Sequence, residues 1–300
     1  YPLRLGLPNW SPEMGQLMRT AVPAALATGV MQINLVVGQL VASQYDNAVS
    51  WLFAADRLYQ LPLGVVGIAV GIVLLPDLTR RLTAGDRVGA QEAYSRASEF
   101  SMALTLPSAV ALMVIPLPLV SVLFERGATG ADDAAAIAVA VAIYGLGLPA
   151  FVLQKVVQPQ YFARGDTRRP FHYALVAMVV NAAVAVGLAP VIGWMAPAVA
   201  TTLAGWAMLG LLYWGLRGMG DVVRVDDRYR RRLPRIALAA VVMGAVLWGL
   251  AVLLQPALGT DYVRYAALLG LIVLGALSYF GTAHALGGLP MADLRRAVRR

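Results

Sequence analysis

The sequence predicts an all-α integral membrane protein, a polytopic helical bundle of about eight transmembrane helices. Three observations support this fold class. First, 59% of the 300 residues are hydrophobic and 13% are charged, whereas a globular protein carries roughly 25% charged residues. Second, the apolar residues form segments of about 20, the length that crosses ~30 Å of hydrocarbon at ~1.5 Å rise per residue. Third, segments such as 236–254 are apolar on every face, which excludes the alternating strands of a transmembrane barrel.

The predicted spans divide the chain into two groups. In order they cover residues 17–42, 49–75, 100–123, 134–157, 170–192, 196–216, 236–254 and 265–286. Between spans two and three, residues 90–97 are expected to form a separate helix lying on the membrane surface. The domains expected from this pattern are a six-helix bundle over 1–217, a basic cytoplasmic hinge over 218–235, two additional transmembrane helices over 236–287 and a basic tail over 288–300.

The distribution of charge predicts the orientation of the spans. The net charge is +8, and nearly all of the 24 basic residues lie before span one or after spans two, four, six and eight. The alternate loops contain only Arg126 and Arg264. The positive-inside rule therefore places both termini in the cytoplasm. The same rule, together with anionic headgroups of the membrane lipids, accounts for the basic clusters, so we expect no nucleic-acid partner.

Several classes of function are not expected. The chain has no cysteine, which excludes disulfides, thiolate metal sites and thiol nucleophiles. Its two histidines, His172 and His284, lie near span ends and form no convincing metal site. Since no catalytic constellation stands out within the spans, we expect neither an enzyme nor a cofactor or metal. The sequence opens at Tyr1 without an initiator Met or a signal-like segment, so we expect a piece of a longer protein.

Arg57 is the most informative residue, because it lies inside the second apolar span. An arginine near a helix centre costs ~2.5–3.5 kcal/mol on insertion scales, so such a residue normally faces a polar cavity or a partner. Asp56 precedes it, and Gln60 follows on the same helix face. The alternative is a buried Asp56–Arg57 pair that only fixes packing, although consecutive helical residues point about 100° apart.

Other polar residues within the spans are weaker candidates for a ligand site. Lys155 lies near the inner end of span four, where its long side chain could equally reach the headgroups. A further group of amides could line a cavity: Gln154, Gln158 and Gln160 around Lys155, and Gln32 and Asn34 in span one. Gln39, Asn181, Thr201 and Thr202, like Gln32 and Asn34, fit interhelical hydrogen bonds at least as well.

Several motifs resemble the lipid II flippases of the MurJ (MviN) family, within the MOP exporter superfamily. They are, in the order and spacing of that family, SWLFAADRLYQLPLG at 50–64, GIAVGIVLLPDLTR at 67–80, LPSAVAL at 106–112, SVLFERGATGADDA at 121–134, VLQKVVQPQYFARGDTRRP at 152–170 and LLYWGLR at 211–217. The resemblance covers essentially the whole chain. It implies that the eight spans correspond to the last eight of fourteen, and that an N-terminal lobe lies outside this sequence.

The resemblance implies a carrier of the bacterial inner membrane that moves lipid II, the undecaprenyl-pyrophosphate-linked peptidoglycan precursor, to the periplasmic leaflet by alternating access. In such proteins the arginine of the ADR motif lines the central cavity and can hold the pyrophosphate, a role that falls here to Arg57, with Lys155 facing the same cavity. The last two spans form a groove for the lipid tail, corresponding to residues 236–286.

The sequence departs from the family pattern in two places. The position of Gln60 is acidic in some members, and members that bind sodium use carboxylates where this chain has Asn181, Thr201 and Thr202. An ion pair at Gln60 and sodium coupling are therefore not expected. Two alternatives stay open: a flippase for another polyprenyl-pyrophosphate-linked glycan, because a pyrophosphate clamp does not read the sugar, or a non-transporting membrane scaffold for cell-wall enzymes.

Overall fold

The computed structural model describes residues 14–15, 35–127, 129–217, 225–260 and 262–288. Residues 35–42 are helical, and they precede α1 (Ala48–Thr83), α2 (Arg87–Val114), α3 (Pro116–Phe124), α4 (Ala131–Phe162), α5 (Arg168–Ile192), α6 (Ala196–Leu216), α7 (Asp227–Leu253), α8 (Gln255–Leu258) and α9 (Val263–Ala285). No strand occurs in these described ranges. The predicted all-helical fold class is confirmed.

Local sequence signals explain where several helices begin. The Asp86 carboxylate accepts a hydrogen bond from Gly89 N at 2.8 Å, and the Asp226 carboxylate accepts one from Tyr229 N at 2.7 Å. Both side chains satisfy amides that a helix start leaves unpaired. The short turn Gly193–Met195 joins α5 to α6, and Gly193 has φ 60°, a left-handed value that glycine adopts without a Cβ penalty.

Five helical stretches of the described chain are long and apolar enough to cross a membrane, and they overlap six of the predicted spans. They are Arg87–Val114, Ala131–Phe162, Arg168–Leu216, Asp227–Leu253 and Val263–Ala285. The third of these includes both α5 and α6. The second predicted span coincides with the first part of α1, which continues to Thr83 and contains Pro62 and Pro76. Most of the first predicted span lies outside the described residues.

The structure corrects the expected surface helix over 90–97. This stretch is the beginning of α2, which continues without a break to Val114. Ala90 and Tyr94 are fully buried in the protein, so the apolar face covers protein rather than a membrane surface. The predicted third span is also interrupted, because Ile115 separates α2 from α3 and Pro116 starts the new helix. Helix α7 begins at Asp227, earlier than the predicted start of span seven at residue 236.

The helices pack into one main core with two extensions. Helices α1, α2, α4 and α6 contribute most of the main core, with Leu58, Leu112, Leu148 and Leu212 among its buried residues. A second cluster joins α7 and α9 to α2, around Ile236 and the other residues of that interface. Helix 35–42 packs against α5 and α6. The four-domain division stays a prediction.

Candidate functional site

Arg57 lies on the exposed face of α1. Its guanidinium carbon is 4.5 Å from the centre of the Phe53 ring, one helical turn earlier. Phe53 is itself 56% exposed. A cation above an aromatic face is attracted by the ring quadrupole while its N–H groups still point outward. The side chain is therefore supported on one side and can bind an anion on the other.

Asp56 does not pair with Arg57. Within the described part of the chain, no carboxylate lies within ion-pair distance of the Arg57 guanidinium. The Asp56 carboxylate instead accepts a hydrogen bond from the Gln60 amide, four residues on. This arrangement follows from the helix, because residues i and i+4 are neighbours on one face and residues i and i+1 are not. The carboxylate therefore has a hydrogen-bond partner other than Arg57.

Contacts with α4 determine which face of α1 is buried and which face is exposed. The Tyr59 ring lies 5.0 Å from the Tyr144 ring and 5.7 Å from the Phe151 ring, both on α4. Near the start of α1, Trp51 Nε1 donates to Asp133 Oδ1 at 2.7 Å. These side chains hold one face of α1 against α4. Arg57 lies on the opposite, exposed face of the helix. The sequence analysis did not identify Asp133. Its place three residues after Gly130, at a helix start, is the signal that could have found it.

Lys155 is also exposed, near the C-terminal end of its helix. Tyr59, two residues after Arg57, contacts the rings of Tyr144 and Phe151, and Lys155 lies four residues after Phe151 on α4. At ~1.5 Å per residue, Lys155 is about 6 Å further along the helix axis than this contact. Arg57 and Lys155 are therefore exposed cationic side chains on neighbouring helices, and a cavity that they share stays a prediction.

The predicted amides have different roles. Gln154 Nε2 donates to the backbone oxygen of Gly205 at 2.8 Å and so links α4 to α6. Gln158 is half-buried, whereas Gln160 is fully buried and accepts a hydrogen bond from Arg164 at 2.8 Å. Gln32 and Asn34 lie outside the described residues.

The polar residues of spans five and six form interhelical hydrogen bonds, as expected. Asn181 Nδ2 donates to Thr201 Oγ1 at 3.3 Å, and Thr202 Oγ1 donates to the backbone oxygen of Ile143 at 2.9 Å. The buried Asn181 is therefore satisfied within the helix packing. Among the described residues, no group of three His, Cys, Asp or Glu side chains could hold a metal ion.

A comparison with known protein families shows which family this chain belongs to. The family described as "Lipid II flippase MurJ" matches residues 4–268. The chain belongs to the MurJ lipid II flippase family. Two proteins named "Probable lipid II flippase MurJ", from Rhizobium tropici and Rhizobium meliloti (strain 1021), are each 41% identical to it over 99% of the chain. The chain spans 56% of the length of both relatives.

Solved structures show the same fold. A structure titled "Lipid II flippase MurJ, inward closed conformation" superposes with a TM-score of 0.75 at 23% identity, covering 96% of this chain and 56% of that one. A second structure, "Crystal structure of MATE in the bent conformation", has a TM-score of 0.51 at 18% identity and covers 90% of this chain and 64% of that one. The arrangement of helices is thus shared by MurJ and MATE proteins.

Proposed function

We propose that this chain is the C-terminal part of a carrier that moves lipid II from the cytoplasmic to the periplasmic leaflet of the bacterial inner membrane, without making or breaking bonds. The main support is Arg57, whose guanidinium has no carboxylate partner in the described ranges and lies on an exposed face of an apolar helix. Membership of the MurJ family supports the substrate class.

The chemistry of Arg57 suits a pyrophosphate. A guanidinium is planar and always charged, and it can donate two parallel hydrogen bonds to phosphate oxygens. Its attraction for an anion is stronger in a cavity of low dielectric constant than in water. The cost of keeping an arginine within a membrane is then offset whenever the anionic headgroup is bound. Lys155 and Gln158 are proposed to contact more distant parts of the substrate along the same surface.

A further lobe is proposed to complete the cavity. The relatives named as MurJ are longer than this chain, which spans 56% of their length. The face of α1 that carries Phe53, Arg57 and Leu61 is exposed. An N-terminal lobe opposite this face would enclose the headgroup between two walls. Alternating access would then consist of the two lobes rocking about the bound substrate, with the lipid tail along the surface of α7 and α9.

The proposed orientation predicts which loops can be labelled from outside the cell. Because native cysteine is absent, single cysteines can be introduced at exposed positions without background. We expect Ser43→Cys and Thr260→Cys to react with an impermeant maleimide in intact cells. Ala84→Cys and Thr167→Cys should react only after permeabilisation, since the positive-inside rule places their loops in the cytoplasm. The reverse labelling pattern would exclude this topology and a cytoplasmic C-terminus.

Complementation tests the proposed transport activity. The full-length gene should restore growth and periplasmic exposure of lipid II in cells depleted of their own lipid II flippase. Growth that is not restored, although the protein accumulates in the membrane, would indicate another polyprenyl-linked substrate or a scaffold role. Restored growth with an Arg57→Ala variant would favour the scaffold, because a scaffold does not need the cavity arginine.

A further inference from the structure

We propose that Glu99 of α2 anchors the cytoplasmic end of α7, and that it is a positioning residue for the C-terminal helix pair α7 and α9. The carboxylate is buried, with its side chain 8% exposed. Arg232 Nη1 lies 2.6 Å from Glu99 Oε1, and Arg228 Nε lies 3.2 Å from Glu99 Oε2. The importance of this anchor for transport rests on the function proposed above, whereas the anchor itself does not.

The two arginines reach Glu99 because they share one face of α7. They are four residues apart at the start of the helix, so both project toward α2. The adjacent backbone is also tied down, because Asp226 N donates to Ser95 Oγ at 3.0 Å and Tyr229 is buried beside it. The Asp226 side chain caps α7 in the same turn. Glu99 and Ser95 of α2 therefore hold the N-terminal end of α7 together.

The rest of the interface is apolar and closely packed. A Cβ atom added at Gly244 of α7 would lie 2.6 Å from Val110 Cγ1 of α2. Toward the cytoplasm, Ile236 packs near Ala103 in the same cluster. In a membrane, association of such surfaces gains little from the hydrophobic effect, because lipid tails are equally apolar. The apolar contacts hold the middle of α7, and the polar contacts at Glu99 hold its end.

Among the residues that hold the start of α7, Glu99 is the most important, because its carboxylate balances two positive charges. A buried carboxylate is tolerated when it is paired and hydrogen-bonded. Once the carboxylate is neutralised, both of its ion pairs are lost, and Glu99 no longer balances the positive charges of Arg228 and Arg232 that meet there. We therefore infer that loss of Glu99 drives the cytoplasmic end of α7 away from α2 and leaves the Val110–Gly244 contact in place. The helix pair would then no longer follow the movements of α2.

Disulfide cross-linking in the full-length protein tests this inference. The cysteine pair Ser95→Cys with Asp226→Cys reports the anchored end, where the 3.0 Å bond is compatible with the ~4.4–6.8 Å between α-carbons that a disulfide needs. The pair Val110→Cys with Gly244→Cys reports the middle of the interface. We expect Glu99→Gln to lower oxidative cross-linking of the first pair about tenfold and to leave the second pair unchanged.

Controls separate anchoring from folding and from general charge effects. Glu92→Gln removes an exposed carboxylate of the same helix, which pairs with Arg96, and should leave both cross-links unchanged. The proposal would be overturned by an unchanged first pair in Glu99→Gln, by equal loss of both pairs, or by the same loss in Glu92→Gln.

The transport readout is kept separate from the cross-links. Glu99→Gln should also reduce complementation at matched membrane levels, whereas Glu92→Gln should not. Undiminished complementation despite a lost first cross-link would overturn the role in transport. Failure of the unmodified protein to complement would count against the proposed function alone, since cross-linking does not depend on substrate.

Discussion

Replacing Arg57 with lysine is expected to lower outward transport of lipid II at least about tenfold, while the protein still inserts and accumulates. Lysine keeps the positive charge but loses the planar fork that donates two hydrogen bonds to neighbouring phosphate oxygens. One lost charge-assisted hydrogen bond is worth about 1.5–3 kcal/mol. The measurement is lipid II exposed at the periplasmic face of cells depleted of the native flippase, with membrane levels of each variant quantified.

Four companion variants make this result interpretable. Arg96→Lys changes an exposed arginine that pairs with Glu92 on α2, and it should transport normally. Lys155→Ala should cost less than Arg57→Ala, because an ammonium is a point charge and Lys155 lies near the end of its span. Normal transport by Arg57→Lys would argue against bidentate recognition. Rescue of Arg57→Ala by Asp56→Asn would replace substrate binding with a structural ion pair.

Replacing Gly205 with valine is expected to destabilise the bundle by about 3 kcal/mol. A Cβ atom at Gly205 would lie 2.6 Å from Cε1 of Phe151. A shift of the Phe151 ring would also disturb its contact with the Tyr59 ring, whose centre lies 5.7 Å away. The Gly205 oxygen also accepts the hydrogen bond from Gln154. Overpacking a well-packed core costs about 1–3 kcal/mol, and here a polar contact is strained as well.

The apparent melting temperature of the purified protein in detergent measures this effect. A cost of this size should lower it by about 5 °C in a chain of this length. Gly210→Val is the matched control, because Gly210 lies on the same helix with no atom within 4 Å of an added Cβ. It makes the same change in helix propensity without a clash. Equal melting temperatures for the two variants would show that α4 and α6 pack less closely at Gly205.

The helical membrane fold could be predicted because it depends on composition and segment length. The segment 236–254 is apolar on every face, and α7 covers nearly all of it in the structure. Boundaries that depend on packing could not be predicted. Residues 90–97 have an apolar face, but the pattern is the same whether membrane or protein covers that face. The break at Ile115, by contrast, coincides with Pro116, at which α3 begins, and this signal is present in the sequence.

The candidate site was predictable only in part. Arg57 stands out in the sequence because an arginine within an apolar span needs a compensating environment. The sequence does not show that Asp56 binds Gln60 or that Gln154 links two helices. Glu99 was missed altogether, since its partners Arg228 and Arg232 lie 129 and 133 residues away along the chain.

The sequence by itself therefore determined the helical membrane class, most of the spans, the family and the position of Arg57 within an apolar span. These depend on local properties: the transfer of apolar side chains out of water, the cost of a charge in hydrocarbon, and short motifs. Only the tertiary structure decided which polar groups are satisfied by packing and which remain exposed. That distinction depends on contacts between residues far apart in the chain, and these exist only once the helices have packed.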